Sequence, residues 1–281
     1  MKKVVSILMA IAMVFSVCLL FAGCTTAPYD EESSTGEDAS AAGSMTATDG
    51  VLVMATNASF PPYEYKDGED FAGIDVEIAG KIAEKLGMKL EIKDVEFGSI
   101  IGGVQTGKFD MGMAGMTVSV KRLQSVNFST TYATGVQVVI VAEDSTITSL
   151  DDLKADGSMK YGVQQDTTGD IYASNTVDNG GYGEENVIRY KTGADAVQAL
   201  KAGKVDAVII DNEPAKSFVA ANDGLKILDT EWLLEEYAIC IAKENTQLLN
   251  AVNNALAELK ADGTIDAIIA KYISAEDSTA A

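Results

Sequence analysis

From residue 51 onward, short apolar runs alternate with stretches of helical period, and this alternation restricts the fold more than any other feature. Residues 51–55, 89–95, 109–113, 137–142, 161–163, 187–190, 205–210 and 238–242 read as strands. Between them lie helical stretches. The clearest has its apolar stripe at Ile74, Ile78, Ile82 and Leu86, with Asp75 placed to cap it and Gly87 to stop it. Others span 98–106, 150–154, 170–175, 194–201 and 246–260, and one begins at Pro214. Strands alternating with helices predict an α/β protein with mostly parallel sheets.

One internal repeat runs through this pattern. Residues 104–115 align with residues 200–211, and both read helix end, Gly-Lys-apolar-Asp, strand. Two generic helix–strand units could match this far by coincidence. Taken as a repeat, the match places Gly115 and Asp211 at equivalent strand ends, where open α/β sheets bind ligands.

The stretch 109–122 is the strongest candidate for a site. An apolar strand ends in Ala114, Gly115, Met116 and Thr117, and a helix start carrying Lys121 and Arg122 follows. Small residues let a ligand approach the backbone. N–H groups at a strand-to-helix junction favour an anion, and a guanidinium can fork onto a carboxylate. The same spacing also fits an ordinary strand–turn–helix with a surface Arg. Asp211, at the matching position, suits an ammonium group; the alternative is a cap for the helix that begins near Pro214. Together, Arg122 with Thr117 and Asp211 could hold the two ends of a free amino acid. If they stand on different lobes, the ligand gives a reason for closure.

Composition narrows the chemistry. The chain has no His, so neither a Ser-His-Asp nor a Cys-His nucleophile system can be built. A His/Cys zinc site is excluded as well. No catalytic residue, metal or cofactor is expected. The formal net charge is −21, which leaves no basic footprint for nucleic acid or anionic lipid. Of the three cysteines, Cys18 lies in the leader, Cys24 at its end, and Cys240 alone in an apolar run, so the mature chain has no internal disulfide.

The leader has a basic start at Lys2 and Lys3, an uncharged apolar region, and small residues before Cys24. This is the pattern of a secretory signal over 1–23, and Ala22-Gly23-Cys24 resembles a bacterial lipobox with Cys24 as the lipidated residue. A retained transmembrane anchor is the other reading, since the apolar run is nearly long enough. Residues 25–48 are mostly Thr, Ser, Ala, Gly, Asp and Glu with few large apolar groups, so 24–48 reads as the lipidated Cys and a flexible tether. Such a tether would have an end-to-end distance of about 25–30 Å. Residues 274–281 read as a disordered tail for the same reason.

Aromatic residues fall at strand ends. The stiff turn Phe60-Pro61-Pro62-Tyr63 follows the first strand, and Phe97 follows the second. Apolar walls are usual in small-molecule sites. Phe97 and Tyr63 fit a core equally well.

With these residues in view, the chain resembles the polar amino-acid substrate-binding proteins of ABC importers, the group of the periplasmic glutamine- and histidine-binding proteins. The resemblance runs from Val51 to Tyr272. It rests on Ala55-Thr56-Asn57-Ala58-Ser59-Phe60-Pro61-Pro62-Tyr63-Glu64, on Gly73-Ile74-Asp75-Val76, on Phe97-Gly98-Ser99-Ile100-Ile101, and on Ala114-Gly115-Met116-Thr117 with Arg122. Phe128-Ser129, Thr167-Thr168-Gly169, residues 206–211 and Gly263-Thr264 complete it.

The resemblance implies a type II periplasmic-binding-protein fold, with two mostly parallel sheets joined by two hinge strands. Lobe 1 would be 49–135 plus 236–273, and lobe 2 would be 136–235. Arg122, Thr117 and the backbone near Thr167 and Thr168 would hold the α-carboxylate. Asp211 and the Gly115 carbonyl would take the α-ammonium. Phe60 and Phe97 would sandwich the side chain, with Asn57 and Gln164 at its polar end. The implied partners are a free amino acid, the membrane subunits of an ABC permease, and the membrane itself through the lipid. The protein would be a monomer on the extracytoplasmic face of the cell membrane.

Two departures bear on the ligand. Asn57 stands where many members have Asp, and Gln164 where the glutamine binder has Lys, so both polar positions are neutral. They favour a neutral polar amino acid. Arginine or lysine comes second, because the acidic surface could steer cations. A cyclohexadienyl dehydratase-like enzyme of the same fold is a reading of another class. It needs a general acid in the cleft, for which Glu213 is the nearby candidate, although a cap beside Pro214 accounts for that residue. A solute sensor without a permease is a third reading, and the tether leads to a lipid site rather than to a signalling helix.

Overall fold

The computed structural model describes residues 44–229 and 232–273. The leader 1–23, Cys24 and most of the tether, and the tail from 274, lie outside the described residues. In chain order the first elements are β1 (Val51–Thr56), β2 (Ser59–Phe60), β3 (Glu64–Asp67), β4 (Asp70–Ala72), α1 (Ile74–Lys85), β5 (Lys89–Asp94), α2 (Ile100–Gln105), β6 (Met111–Gly112), α3 (Val120–Leu123) and β7 (Val126–Phe128). Then come β8 (Ala133–Ala142), β9 (Tyr161–Gln164), α4 (Thr168–Ser174), β10 (Val187–Tyr190), α5 (Gly193–Lys201), β11 (Ala207–Asp211), α6 (Asn212–Ala220) and β12 (Leu225–Ile227). The chain closes with β13 (Leu233–Tyr237), β14 (Cys240–Ala242), α7 (Thr246–Ala261) and α8 (Thr264–Tyr272).

The strands form two main sheets and hence two lobes. One has the order β5-β1-β6-β14-β7, and the other β10-β9-β11-β8-β12 with β13 added along β8. A small antiparallel sheet, β2-β3-β4, sits beside the first. The expectation of mostly parallel sheets needs correction, because both main sheets are mixed. The helix-linked strands β5, β1 and β6 are parallel, as are β10, β9 and β11. The strands that carry the chain between lobes and back pair antiparallel: β8 with β11, β13 with β8, and β14 with β6 and β7. They arrive without a helical crossover, and only such a crossover makes a parallel neighbour.

Burial follows the sequence pattern. Residues 135–141 of β8 are buried, as a strand covered on both faces must be, and their apolar run shows it. On α1 the buried residues include Ile74, Ile78, Ala79, Ile82 and Ala83. Asp75 does not cap this helix: Gly73 holds the cap position, and Asp75 points into the protein.

The repeat has a physical cause. In both copies a left-handed glycine ends a helix, Gly107 at φ +70° and Gly203 at φ +66°. The next N–H reaches back to the last turn: Lys108 to Gly103 and Lys204 to Ala199. Phe109 and Val205 then bury their side chains. The following Asp accepts a backbone N–H in each case, Asp110 from Val53 in β1 at 2.7 Å and Asp206 from Lys160 just before β9 at 2.7 Å. Asp110 also accepts the Ala47 N–H at 2.8 Å, and Asn245 donates to the Met45 carbonyl at 2.8 Å. Residues 45–48, which composition assigned to the tether, are therefore fastened to the first lobe.

Candidate functional site

All ten expected ligand-binding positions line one narrow cavity between the lobes: Asn57, Phe60, Phe97, Gly115, Thr117, Arg122, Gln164, Thr167, Thr168 and Asp211. Ala114 and Glu64 complete the wall.

Arg122 lies on α3, whose cap Ser119 accepts the Arg122 N–H at 3.2 Å. Its guanidinium is buried. Nη1 donates to the Thr117 carbonyl at 2.7 Å, and Nη2 donates across the lobes to the Asp166 carbonyl at 3.1 Å. Asp166 has φ +65°, the one described non-glycine residue in the left-handed region, so backbone strain is accepted where its carbonyl meets Arg122. Phe97 lies under the guanidinium, 5.2 Å from Cζ to the ring centre. Burial lowers the Arg122 pKa, and the charges of Glu235 and Asp211 oppose that shift. Two of its five N–H groups are used by carbonyls, and the others remain for a carboxylate.

Asp211 ends β11 and occupies the cap position of α6, yet its side chain makes no cap bond. It accepts a hydrogen bond from the Tyr237 hydroxyl instead. Burial and the nearby Glu235 charge raise its pKa well above the usual carboxylate range. Gly115, opposite in the repeat, has φ +51°, and a Cβ there would lie 2.8 Å from the Phe60 ring. Only glycine fits this turn. Its N–H donates to Asp75 Oδ2 at 2.9 Å.

At the other end, the Asn57 Nδ2 donates to the Val95 carbonyl at 2.8 Å, while Oδ1 accepts from Ser59 Oγ and Gln164 Nε2, each at 2.9 Å. Thr167 caps α4 and donates to the Gln164 carbonyl at 2.7 Å. Tyr63 is a core residue, stacked on Phe60 and edge-on to Tyr237.

Three buried acids at this site were not foreseen. Glu235 on β13 accepts at Oε2 from Thr117 Oγ1 at 2.6 Å, Thr168 Oγ1 at 2.9 Å and Gln137 Nε2 at 3.3 Å. Glu64 touches the cavity and faces Asp75. Asp75 Oδ2 also accepts from the Tyr132 hydroxyl at 2.8 Å. Burial pushes the Asp75 carboxyl up to about 6, and burial with the Asp75 charge holds Glu64 well above its usual value. The sequence gives Glu64 one signal, its place beside the Pro61-Pro62-Tyr63 turn. Glu235 has none, because β13 buries Glu235 and exposes Leu234. Glu213, the candidate acid of the enzyme reading, lies on a different cavity and is paired with Lys216 at 2.8 Å.

One buried cation, several buried acids and two aromatic rings around one cavity suit a small zwitterion. The fold and this site are those of a two-lobed binding protein. The chain belongs to the bacterial extracellular solute-binding proteins, family 3, whose profile matches residues 52–275. It is 31% identical over 227 residues to the arginine-binding extracellular protein ArtP of Bacillus subtilis (strain 168), covering 80% of this chain and 87% of that one. Two structures of an ancestral arginine-binding protein, one bound to arginine and one to glutamine, match with TM-score 0.72 and 38% identity. They cover 79% and 80% of this chain and 98% of theirs. An ancestral amino acid-binding protein described as a precursor of cyclohexadienyl dehydratase matches with TM-score 0.72 and 31% identity, over 79% of this chain and 95% of its own. Among the described residues no helix is long and apolar enough to cross a membrane.

Proposed function

We propose that this protein captures a free polar L-amino acid outside the cytoplasm and delivers it to an ABC permease. The observation that carries the reading is the pairing of buried Arg122 with buried Asp211 on one interlobe cavity. Arg122, with Thr117, Thr167 and Thr168, takes the α-carboxylate. Asp211 and the Gly115 carbonyl take the α-ammonium. Phe60 and Phe97 flank the side chain, and Asn57 and Gln164 meet its polar end. The lobes run over 49–135 plus 236–273 and over 136–235, so the zwitterion bridges them and favours closure.

Asn57 and Gln164 are neutral, which favours a neutral polar ligand such as glutamine. Arginine is the second reading, favoured by the arginine-binding relatives. The protein binds without turnover, in keeping with the position of Glu213 away from the cavity. Cys24 carries a lipid that holds a monomer at the outer face of the cell membrane, a reading supported by Ala22-Gly23-Cys24 after an apolar leader.

A thermal-shift screen of the twenty L-amino acids tests the reading. A ligand of the native state raises stability by RT ln(1 + [L]/Kd), so one or a few polar amino acids should raise the melting temperature. No shift with any of them would overturn the proposal.

A further inference from the structure

Four consecutive residues after β5 each meet part of the site. The Val95 carbonyl accepts from Asn57 Nδ2 at 2.8 Å, Glu96 pairs with Lys191 at 2.6 Å, Phe97 lies under the Arg122 guanidinium, and Gly98 abuts Asp166. Lys191 and Asp166 come just after β10 and β9 of the second sheet, so two of these contacts cross between the lobes. The Glu96–Lys191 pair is exposed on both sides and contributes little. The contact of Gly98 with Asp166 is steric, and a side chain would prevent it. A Cβ at Gly98 would overlap Asp166 Oδ2 and lie 3.1 Å from its Cγ and 3.4 Å from its Cβ. Gly98 does not have a positive φ, so its own backbone would accept any residue. The glycine is required by the facing lobe, not by its own turn.

Asp166 is held where it is. Its N–H donates to Asp170 Oδ2 at 2.9 Å, and the Gln165 N–H donates to the Tyr190 carbonyl at 2.9 Å. Asp170 Oδ2 also accepts from Arg189 Nε at 2.8 Å, and Arg189 Nη2 donates to Glu184 Oε2 at 2.9 Å. These bonds fix the left-handed turn whose carbonyl accepts from Arg122 Nη2 at 3.1 Å. A retreat of the turn by about 0.5 Å would break that bond.

We propose that Gly98 is a positioning residue for ligand capture: its bare Cα sets how closely the lobes close, and so lets the Asp166 carbonyl hold the Arg122 fork. The inference rests on Arg122 gripping the ligand's carboxylate. The Thr117 carbonyl holds Nη1 from the same lobe, and the Asp166 carbonyl holds Nη2 from the other. A guanidinium held at both ends loses less freedom when a carboxylate binds. A side chain at position 98 keeps the second hold from forming, so the carboxylate meets a looser Arg122 in a cleft that stops short of closure. Contacts made only on closure act on the rate at which the ligand leaves.

Gly98→Ala, Gly98→Leu, and Gly98→Ala combined with Asp166→Gly test this. Glycine at 166 keeps the N–H, the carbonyl and the left-handed turn, and removes the carboxylate that a methyl at 98 would strike. Calorimetry and stopped-flow with L-glutamine, L-arginine and any other amino acid that stabilises wild type read affinity and rates. Affinity should fall about threefold or more in Gly98→Ala and about tenfold or more in Gly98→Leu, through faster dissociation with little change in association. The melting temperature without added ligand should stay within about 3 °C of wild type, since Gly98 is exposed and lies outside both sheets. In the Asp166→Gly background, Gly98→Ala should cost less than about twofold. Circular dichroism confirms each fold, and the Gly98→Ala pair decides if Gly98→Leu does not fold. Folded Gly98 variants that bind as wild type does overturn the inference. A loss that Asp166→Gly leaves unrepaired, or that follows a lowered melting temperature, also overturns it. In each of those cases the amino-acid reading stands, because wild type still binds. If wild type binds none of the twenty amino acids, both fall.

Discussion

Gln164 Nε2 stands 2.9 Å from Asn57 Oδ1, a hydrogen bond between the end of β9 and the segment after β1 that joins the two lobes across the cavity. An amino-acid side chain reaching this end meets an amide pair already satisfied by each other. Neither member carries charge, so nothing here rewards a cation. Asn57→Asp changes that, because a carboxylate beside a guanidinium or ammonium favours the charged ligand. We expect the variant to shift preference toward arginine over glutamine by about tenfold, or ~1.4 kcal/mol. Calorimetry with both amino acids on both proteins checks it. An unchanged ratio would remove Asn57 from the side-chain end.

The second prediction concerns pH and stability. In the unfolded chain Asp75 titrates near its ordinary value of about 3.9. In the folded protein burial pushes it to about 6. Between these values the folded state binds more protons, so this group's contribution to stability rises as pH falls from about 6 toward 4, and its ionisation penalty is fully present above about 6. Asp75→Asn keeps an acceptor for the Gly115 N–H and the Tyr132 hydroxyl but cannot titrate. Urea unfolding at pH 7.5, 6.0 and 5.0 should show wild type gaining about 1–3 kcal/mol on the variant as pH falls. Parallel curves would contradict the assignment.

A third prediction separates the two copies of the repeat. Buried Asp110 accepts two backbone N–H groups, from Ala47 and Val53, whereas exposed Asp206 accepts one, from Lys160. Asp110→Ala should cost about 1–3 kcal/mol, since it removes a buried acceptor from two backbone N–H groups, that of half-buried Val53 among them. Asp206→Ala should cost less than about 1 kcal/mol, because water replaces the acceptor. Denaturant midpoints at constant m-value would show it. Equal losses would mean that burial is not what distinguishes them.

A fourth prediction concerns processing. Cys24→Ser should abolish lipidation and release the protein from the membrane fraction. If the variant remains with membranes at unchanged size, the leader is a retained anchor.

The sequence was informative where one residue type is forced by one conformation. Gly107 and Gly203 mark helix ends because only glycine tolerates the turn cheaply, and Gly115 marks the site because Phe60 fills the space a Cβ would need. Alternating periods gave the strands, but not the pairing directions of β8, β13 and β14, which depend on where the chain re-enters a sheet. Asp211 could be read from its place in the repeat, though only the structure shows its carboxylate turned from α6 toward Tyr237. Glu235 could not be read, and Glu64 and Asp75 were visible only as members of the shared motifs, not as buried acids at the site. The contacts of each come from partners more than ten residues away in the chain: Thr168 and Thr117, Asp75, and Gly115 with Tyr132.

The central claim is that Arg122 grips a ligand carboxylate, and the affinity of Arg122→Ala tests it most directly. Removing one member of a buried charge-assisted pair should cost about 2–5 kcal/mol, much of it from the charge left unpaired. That is roughly thirty-fold to several thousand-fold in Kd. Calorimetry with the amino acids that stabilise wild type, alongside circular dichroism to confirm the fold, gives the number. We predict a folded variant with affinity lowered by at least about thirty-fold. A folded Arg122→Ala that binds amino acids as tightly as wild type would contradict the account, and the carboxylate grip would lie elsewhere.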